Sequence, residues 1–118
     1  MTTTVLIVDD HATFRASARL LLESEGFDVV GEAEDGGSAI EMTRSLAPDL
    51  IVLDVQLPDI DGFEVASRLT ERDGAPAVIL TSSRDGGEFG PLVKASGARG
   101  FVAKAELSGD SLRALLDA

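Results

Sequence analysis

Acidic side chains follow two apolar runs of this sequence, and a threonine and a lysine close two others. Asp9 and Asp10 come directly after "TVLIV", and Asp54 directly follows "LIVL". Thr81 closes "AVILT", and Lys104 follows "GFVA". An unpaired carboxylate beside a buried apolar segment is costly, so its presence indicates either a partner charge or a chemical task.

The types of these side chains are suited to phosphoryl transfer. Three neighbouring carboxylates repel one another unless a cation lies between them. Mg²⁺ suits such a set, because it needs only one or two carboxylates together with phosphate oxygens and water. Calcium requires more oxygens, and a chain with no cysteine and one histidine offers little to zinc. A metal and a lysine would offset phosphoryl charge, which leaves Asp54 as the candidate nucleophile.

Five apolar runs predict the strands that position these residues. They are "TVLIV" at 4–8, "DVVGEA" at 28–33, "LIVL" at 50–53, "AVILT" at 77–81 and "GFVA" at 100–103. Three are continuous, which is typical of parallel strands buried on both faces. Helical patterns separate the runs, so we predict an α/β fold with helices on both faces of a parallel sheet. The working crevice of such a sheet lies at the carboxyl ends of its strands.

Local signals predict where the helices begin and end. Ser38 and Asp61 each stand three residues before a glutamate, as capping residues do at a helix start. Gly26 and Pro48 indicate the ends of the first two helices. The last helix is expected from Ser108.

The fourth helical segment, "RDGGEFGPLVKASG" at 84–97, departs from a good helix sequence. Three glycines and a proline stand before residue 92. Each interior glycine costs about 0.5–1 kcal/mol relative to alanine, and proline fits best in a first turn. We predict a helix that begins late, near Pro91, after a loose lead-in.

Length and composition narrow the class of protein. The 118 residues predict one domain, 1–118, with no output domain. A net charge of −11 opposes direct contact with nucleic acid. No run approaches the roughly 18 apolar residues of a membrane span, and the start lacks the features of a secretory signal. We therefore expect a soluble, cytoplasmic protein.

Four motifs together resemble the receiver domains of two-component response regulators. They are "IVDDH" at 7–11, "VLDVQLPDIDG" at 52–62, "VILTS" at 78–82 and "GFVAK" at 100–104. The resemblance covers the whole chain. It implies a flavodoxin-like (βα)5 fold with a doubly wound, parallel five-stranded sheet in the order 2-1-3-4-5.

The resemblance also implies a metal-dependent phosphoacceptor. Asp54 would accept a phosphoryl group from a sensor histidine kinase or a phosphotransfer protein. Asp10, Asp54 and the backbone carbonyl of Gln56 would hold Mg²⁺, and Asp9 would assist through water. The chain would catalyse only its own phosphorylation and dephosphorylation, and would signal to a downstream protein partner without contacting nucleic acid or membrane.

The resemblance also implies which residues bind the phosphoryl group and which residues change conformation on phosphorylation. Thr81 and Lys104 would bind the phosphoryl oxygens, and Phe101 would turn into space opened when Thr81 moves inward. Many receivers carry proline after the lysine, whereas this chain has Ala105. That difference leaves the loop before Ser108 undefined by the sequence.

Other functions and plainer roles remain open at this point. A small Mg²⁺-dependent phosphatase would use an aspartyl nucleophile after the first strand, although it normally has Asp-x-Asp there. A flavin binder would need a phosphate-cradling loop that this chain lacks. The chain could also be the receiver fragment of a DNA-binding transcriptional regulator.

Several residues also have structural interpretations. Asp9 and Asp10 could simply cap a helix, whereas Asp59 and Asp61 are best read as a turn residue and a helix cap. His11 is expected to be a solvated residue on the first helical turn.

Overall fold

All five predicted strands form, and five helices alternate with them. The structure is a computed structural model that describes residues 2–83 and 89–117. The strands are β1 (Thr4–Val8), β2 (Asp28–Ala33), β3 (Leu50–Asp54), β4 (Ala77–Ser82) and β5 (Gly100–Ala103). The helices are α1 (Ala12–Ser24), α2 (Gly36–Leu46), α3 (Gly62–Thr70), α4 (Gly90–Ala95) and α5 (Gly109–Leu116).

The strands form one parallel sheet in the order β2-β1-β3-β4-β5, which confirms the expected flavodoxin-like topology. Val8, the last residue of β1, pairs with Leu53 of β3. Asp54, the last residue of β3, pairs with Thr81 of β4. This register places the polar residues that follow β1 beside those that end β3 and β4.

Alternate residues of each strand pack into cores on opposite faces of the sheet. One core combines Val5 and Ile7 of β1 with side chains from α1 and α5. The other combines Leu6 and Val8 with side chains from α2 and α3. Every residue of β3 is buried, as the continuous apolar run predicts for a central strand. Each fully buried leucine or isoleucine contributes roughly 1.5–3 kcal/mol, so the two cores stabilise the sheet that carries the strand ends.

The predicted start of α2 at Ser38 is wrong. The helix begins at Gly36, and Asp35 is its N-cap, because the Asp35 carboxylate accepts a hydrogen bond from Ser38 N–H at 2.8 Å. Ser38 therefore donates from the first turn of the helix instead of capping it. The predicted cap at Asp61 is confirmed, since its carboxylate accepts from Phe63 N–H at 2.7 Å.

The predicted helix ends are also observed. Helix α1 stops at Ser24, and Gly26 follows with a positive φ of 95°. Ala47 takes the left-handed conformation with φ 46° just before Pro48 and ends α2.

Helix α4 begins late, as predicted. It starts at Gly90 with Pro91 in its first turn, and none of its six residues is buried. The predicted lead-in at 84–88 lies outside the described residues.

A short 3₁₀ helix at Lys104–Glu106 leads from β5 to Ser108, which caps α5 by accepting from Ser111 N–H. This turn defines the loop that the sequence left open. Among the described residues, no helix is long and apolar enough to cross a membrane.

Candidate functional site

Four side chains that can bind a metal meet at the carboxyl ends of β1 and β3. One ligand atom from each of Asp9, Asp10, His11 and Asp54 lies within 4.8 Å of the others. Asp9 is fully buried and Asp54 is 4% exposed, whereas Asp10 and His11 are open to solvent. The adjacency of β1 and β3 in the sheet explains this convergence, because it places the residues after Val8 beside Asp54.

Lys104 reaches into the same cluster from the end of β5. Its Nζ lies 2.5 Å from Asp9 Oδ2 and 3.2 Å from Asp54 Oδ2. The ammonium also lies 4.5 Å from the centre of the Phe14 ring, which provides a cation–π contact. Burial by itself lowers the pKa of Lys104, but the hydrogen bond to Asp9 and the charges of Asp54 and Asp9 outweigh it and raise the pKa. The lysine is therefore a cation at neutral pH.

Asp54 occupies an environment that opposes its negative charge. Burial raises the pKa of Asp54, and the negative charge of Asp9 raises it further. The Gln56 N–H, which donates to Asp54 Oδ1 at 3.1 Å, and the Lys104 ammonium partly offset this rise. A carboxylate held in this way is a more reactive nucleophile than one fully paired with cations.

Thr81 presents an unsatisfied hydroxyl beside Asp54. The two residues are paired across β3 and β4, and Thr81 is fully buried. Its Oγ1 has no hydrogen-bond partner among the described residues. Buried hydroxyls are nearly always bonded, so this one has the capacity to bond to a group at the site.

The donor set fits a hard divalent cation. The cluster consists mainly of carboxylate oxygens, which Mg²⁺ prefers, and Asp10 keeps it open to water. The plainer interpretation of Asp9 and Asp10 as helix caps does not hold. The N-cap of α1 is His11, whose side chain makes no capping hydrogen bond to the described residues. Instead, Asp9 Oδ1 accepts from His11 N–H at 2.8 Å.

Phe101 lies near this cluster but outside it. It pairs with Leu80 across β4 and β5, whereas Thr81 pairs with Val102. The Phe101 ring packs on Phe89, with centroids 5.8 Å apart, and Phe89 in turn packs on Phe63 at 5.6 Å. Phe101 is therefore connected through aromatic contacts to the start of α4.

Two contacts of the acid pair had little signal in the sequence pattern. His11 is 69% exposed, as expected, yet its Nδ1 lies 3.1 Å from both Asp9 Oδ1 and Asp10 Oδ1. Arg15 on α1 donates to the backbone oxygen of Asp9.

Comparison with known proteins agrees with this geometry. The family described as the response regulator receiver domain matches residues 5–117. A relative from Pseudomonas aeruginosa, named as a transcriptional regulator, is 43% identical over 102 residues, which make up 86% of this chain and 49% of the relative. The DNA-binding transcriptional activator EvgA of Escherichia coli is 33% identical over 101 residues, or 86% of this chain and 50% of EvgA.

A solved structure extends the match to the whole fold. The two-component response regulator of the LuxR family from Aurantimonas superposes with a TM-score of 0.89 at 33% identity, covering 99% of this chain and 86% of that one. The chain spans about half the length of the curated relatives it matches. With residues 5–117 matched and the sheet order, acid cluster and lysine in place, the chain belongs to the response regulator receiver domain family.

Proposed function

We propose that Asp54 is the phosphoacceptor of this receiver domain. The observation that carries the proposal is the position of its carboxylate, which is buried in the acid cluster and lies 3.2 Å from the Lys104 ammonium. A carboxylate whose pKa is raised, with a cation beside it, suits attack on phosphorus. The Thr81 hydroxyl, which has no hydrogen-bond partner within residues 2–83 and 89–117, suits binding of the transferred group.

In the proposed reaction an Asp54 oxygen attacks the phosphorus of a kinase phosphohistidine. The new O–P bond forms as the P–N bond breaks, and its electron pair returns to the imidazole nitrogen. The product is an acyl phosphate on Asp54, which water later hydrolyses. The Lys104 ammonium and the Thr81 hydroxyl bind the oxygens of the transferred group. Phosphorylation and hydrolysis both take place on Asp54, so the chain catalyses these two steps only on itself.

The acid cluster is proposed to bind Mg²⁺. Asp10, Asp54 and the backbone carbonyl of Gln56 would hold the ion, and Asp9 would contact it through water. When bound, the ion supplies positive charge against the phosphoryl oxygens. The fit of the donor set supports this assignment, since its three carboxylates carry more negative charge than the single Lys104 ammonium offsets.

Phosphorylation is proposed to be read through Thr81 and Phe101. A phosphoryl oxygen would draw the Thr81 hydroxyl toward Asp54 and free space beside β5. Rotation of Phe101 into that space would change its contact with Phe89, which directly precedes α4. The face formed by α4 and β5 would then bind a downstream protein partner.

The proposed partners are a sensor histidine kinase or phosphotransfer protein upstream and a protein effector downstream. The match of this chain to about half of a DNA-binding activator supports the variant in which the receiver regulates a DNA-binding module. The net charge of −11 supports the proposal that the receiver itself does not contact nucleic acid.

Intact mass spectrometry tests the phosphoacceptor directly. The wild type is incubated with Mg²⁺ and acetyl phosphate beside Asp54→Ala and a control, Asp73→Ala, whose carboxylate is exposed and has no bonded partner among the described residues. Wild type and Asp73→Ala should gain one phosphoryl group, and Asp54→Ala none. Equal labelling of Asp54→Ala would refute the assignment. Sustained turnover of p-nitrophenyl phosphate would instead support a phosphatase.

A further inference from the structure

Asp59 connects the loop between β3 and α3 to the first turn of α2, which lies far from it in the sequence. Its carboxylate accepts hydrogen bonds from Gly36 N–H at 2.8 Å and from Gly37 N–H at 3.0 Å, across 23 and 22 residues. The same carboxylate accepts from Ile60 N–H within its own loop at 2.8 Å. The sequence suggested only a turn residue at this position, but the structure places it against the first turn of α2.

The start of α2 depends on this contact. The first four N–H groups of a helix have no partner within the helix. In α2, the Asp35 side chain satisfies one of them, that of Ser38. Asp59 satisfies two more, those of Gly36 and Gly37. Glycine is a poor helix former, so the first residues of α2 have little intrinsic tendency to be helical. The carboxylate of Asp59, from a different part of the chain, stabilises them by accepting their N–H groups.

Close packing brings the start of α2 and the loop between β3 and α3 within hydrogen-bonding distance of each other. A Cβ added at Gly36 would lie 2.9 Å from Val65 Cγ2 and 3.2 Å from Ile60 Cβ, closer than such atoms approach without a shift. Glycine at position 36 therefore allows the start of α2 to reach the loop between β3 and α3. The hydrogen bonds to Gly36 and Gly37 lower the pKa of Asp59, so the carboxylate is charged at neutral pH and the bonds are charge-assisted.

The loop that Asp59 anchors also carries a residue of the candidate site. Residues 55–61 leave the sheet at Val55, whose N–H donates to Thr81 O at 2.9 Å, and return at Gly62, whose N–H donates to Val55 O at 2.9 Å. Gln56 lies in this loop and donates to Asp54 Oδ1. Between these two ends, the contact with α2 fixes the outer part of the loop.

We propose that Asp59 is a positioning residue that anchors the β3–α3 loop on the N-terminus of α2 and thereby holds Gln56 at the metal site. The proposal rests on the function assigned above, since it takes the Gln56 carbonyl to be a metal ligand. Asp59 acts only through the loop and contacts neither Asp54 nor Lys104 in any hydrogen bond or ion pair of the described residues. The contact between Asp59 and α2 therefore positions a residue of the metal site without itself touching that site.

Amide exchange and metal titration by NMR test the proposal on the unphosphorylated protein. Asp59→Ala is compared with the wild type and with Asp73→Ala, which removes the same charge from an exposed position without bonds to described residues. In Asp59→Ala, amide exchange at Gly36, Gly37 and Gln56 should speed up by at least about threefold. Mg²⁺ alone should bind about tenfold more weakly, as follows when a group supporting a ligand is lost. Asp73→Ala should match the wild type in both.

Asp59→Asn separates positioning from charge. Asparagine keeps one acceptor oxygen, so it should restore part of the exchange protection and part of the Mg²⁺ affinity. Equal Mg²⁺ affinity in Asp59→Ala and Asp73→Ala would overturn the proposal, whatever the exchange rates. If the wild type gains no phosphoryl group from acetyl phosphate, the proposed function itself fails. If it is phosphorylated normally while Asp59→Ala behaves as Asp73→Ala, only the positioning role fails.

Discussion

The Lys104 ammonium lies 3.2 Å from the Asp54 carboxylate, although 50 residues separate the two in the sequence. The same nitrogen lies 2.5 Å from Asp9 Oδ2. One cation therefore bridges two carboxylates that would otherwise repel each other across the ends of β1 and β3. This bridge lies at the strand ends and outside the two cores. Its contribution to the free energy of unfolding can therefore be measured by substituting Lys104 without changing either core.

Lys104→Met should destabilise the fold. Methionine leaves Asp9 and Asp54 facing each other without a cation, and we expect a loss of about 1–2 kcal/mol, less than for a fully buried pair because water reaches the lysine. Urea unfolding followed by circular dichroism measures the change. Lys94→Met is the matched control, because Lys94 is exposed on α4 and has no ion pair among the described residues. Equal losses in the two variants would show that Lys104 does not neutralise the acids.

Asp54→Asn should make the protein more stable at neutral pH. Burial and the charge of Asp9 disfavour the ionised form of Asp54, and asparagine keeps the shape without that charge. We expect a gain of about 1 kcal/mol, as is common when a strained functional group is neutralised. Thermal unfolding without divalent metal measures it. A clear decrease in melting temperature would mean that the bond to Lys104 outweighs the burial of the charge.

Mg²⁺ should raise the melting temperature of the wild type and have a smaller effect on Asp10→Asn. A ligand that binds only the folded state stabilises it by about 2.7 kcal/mol at one hundred times its Kd. Asp10 offers one ligand oxygen to the acid cluster, and asparagine would remove its charge. Asp73→Asn controls for the change in net charge. An equal Mg²⁺ shift in Asp10→Asn and Asp73→Asn would exclude Asp10 as a ligand.

The contribution of Asp59 to stability should depend on pH in the acidic range. Its pKa lies below the ordinary value of 3.8, so the folded state binds this proton more weakly than the unfolded state does. The stabilisation is therefore complete above the unfolded value and is lost as the pH falls through the lowered folded value. The stability difference between wild type and Asp59→Asn, measured by urea unfolding from about pH 6 to 3, should shrink toward low pH. A stability difference that stays constant over this pH range would contradict the lowered pKa of Asp59 in the folded state.

Helix α4 should open more often than its neighbours. It has six residues and none of them is buried, whereas every residue of β3 is buried. The amides of Lys94 and Ala95 should therefore exchange through local opening, well before that of Val52. Leu112 of α5 is the control, since that helix is also short but buries this leucine fully. Protection of Lys94 equal to that of Leu112 would show that α4 is held more firmly than its burial indicates.

The sequence alone determined the element order, the strand positions and the identity of the acid and lysine positions in the site. Continuous apolar runs specify central parallel strands, and chain connectivity forces their carboxyl ends to one edge, so Asp9, Asp54, Thr81 and Lys104 could be grouped without coordinates. The late start of α4 followed equally from local chemistry, because Pro91 and the glycines act on the backbone where they stand.

Only the tertiary structure decided which of these groups touch, and how strongly. The sequence could not show that Lys104 bridges Asp9 and Asp54, or that the Thr81 hydroxyl has no hydrogen-bond partner in the described part of the chain. Nor could it show that the carboxylate that holds Gly36 at the start of α2 comes from Asp59, 23 residues away. Contacts of this kind depend on the packing of whole elements against each other, and local propensity carries no information about them.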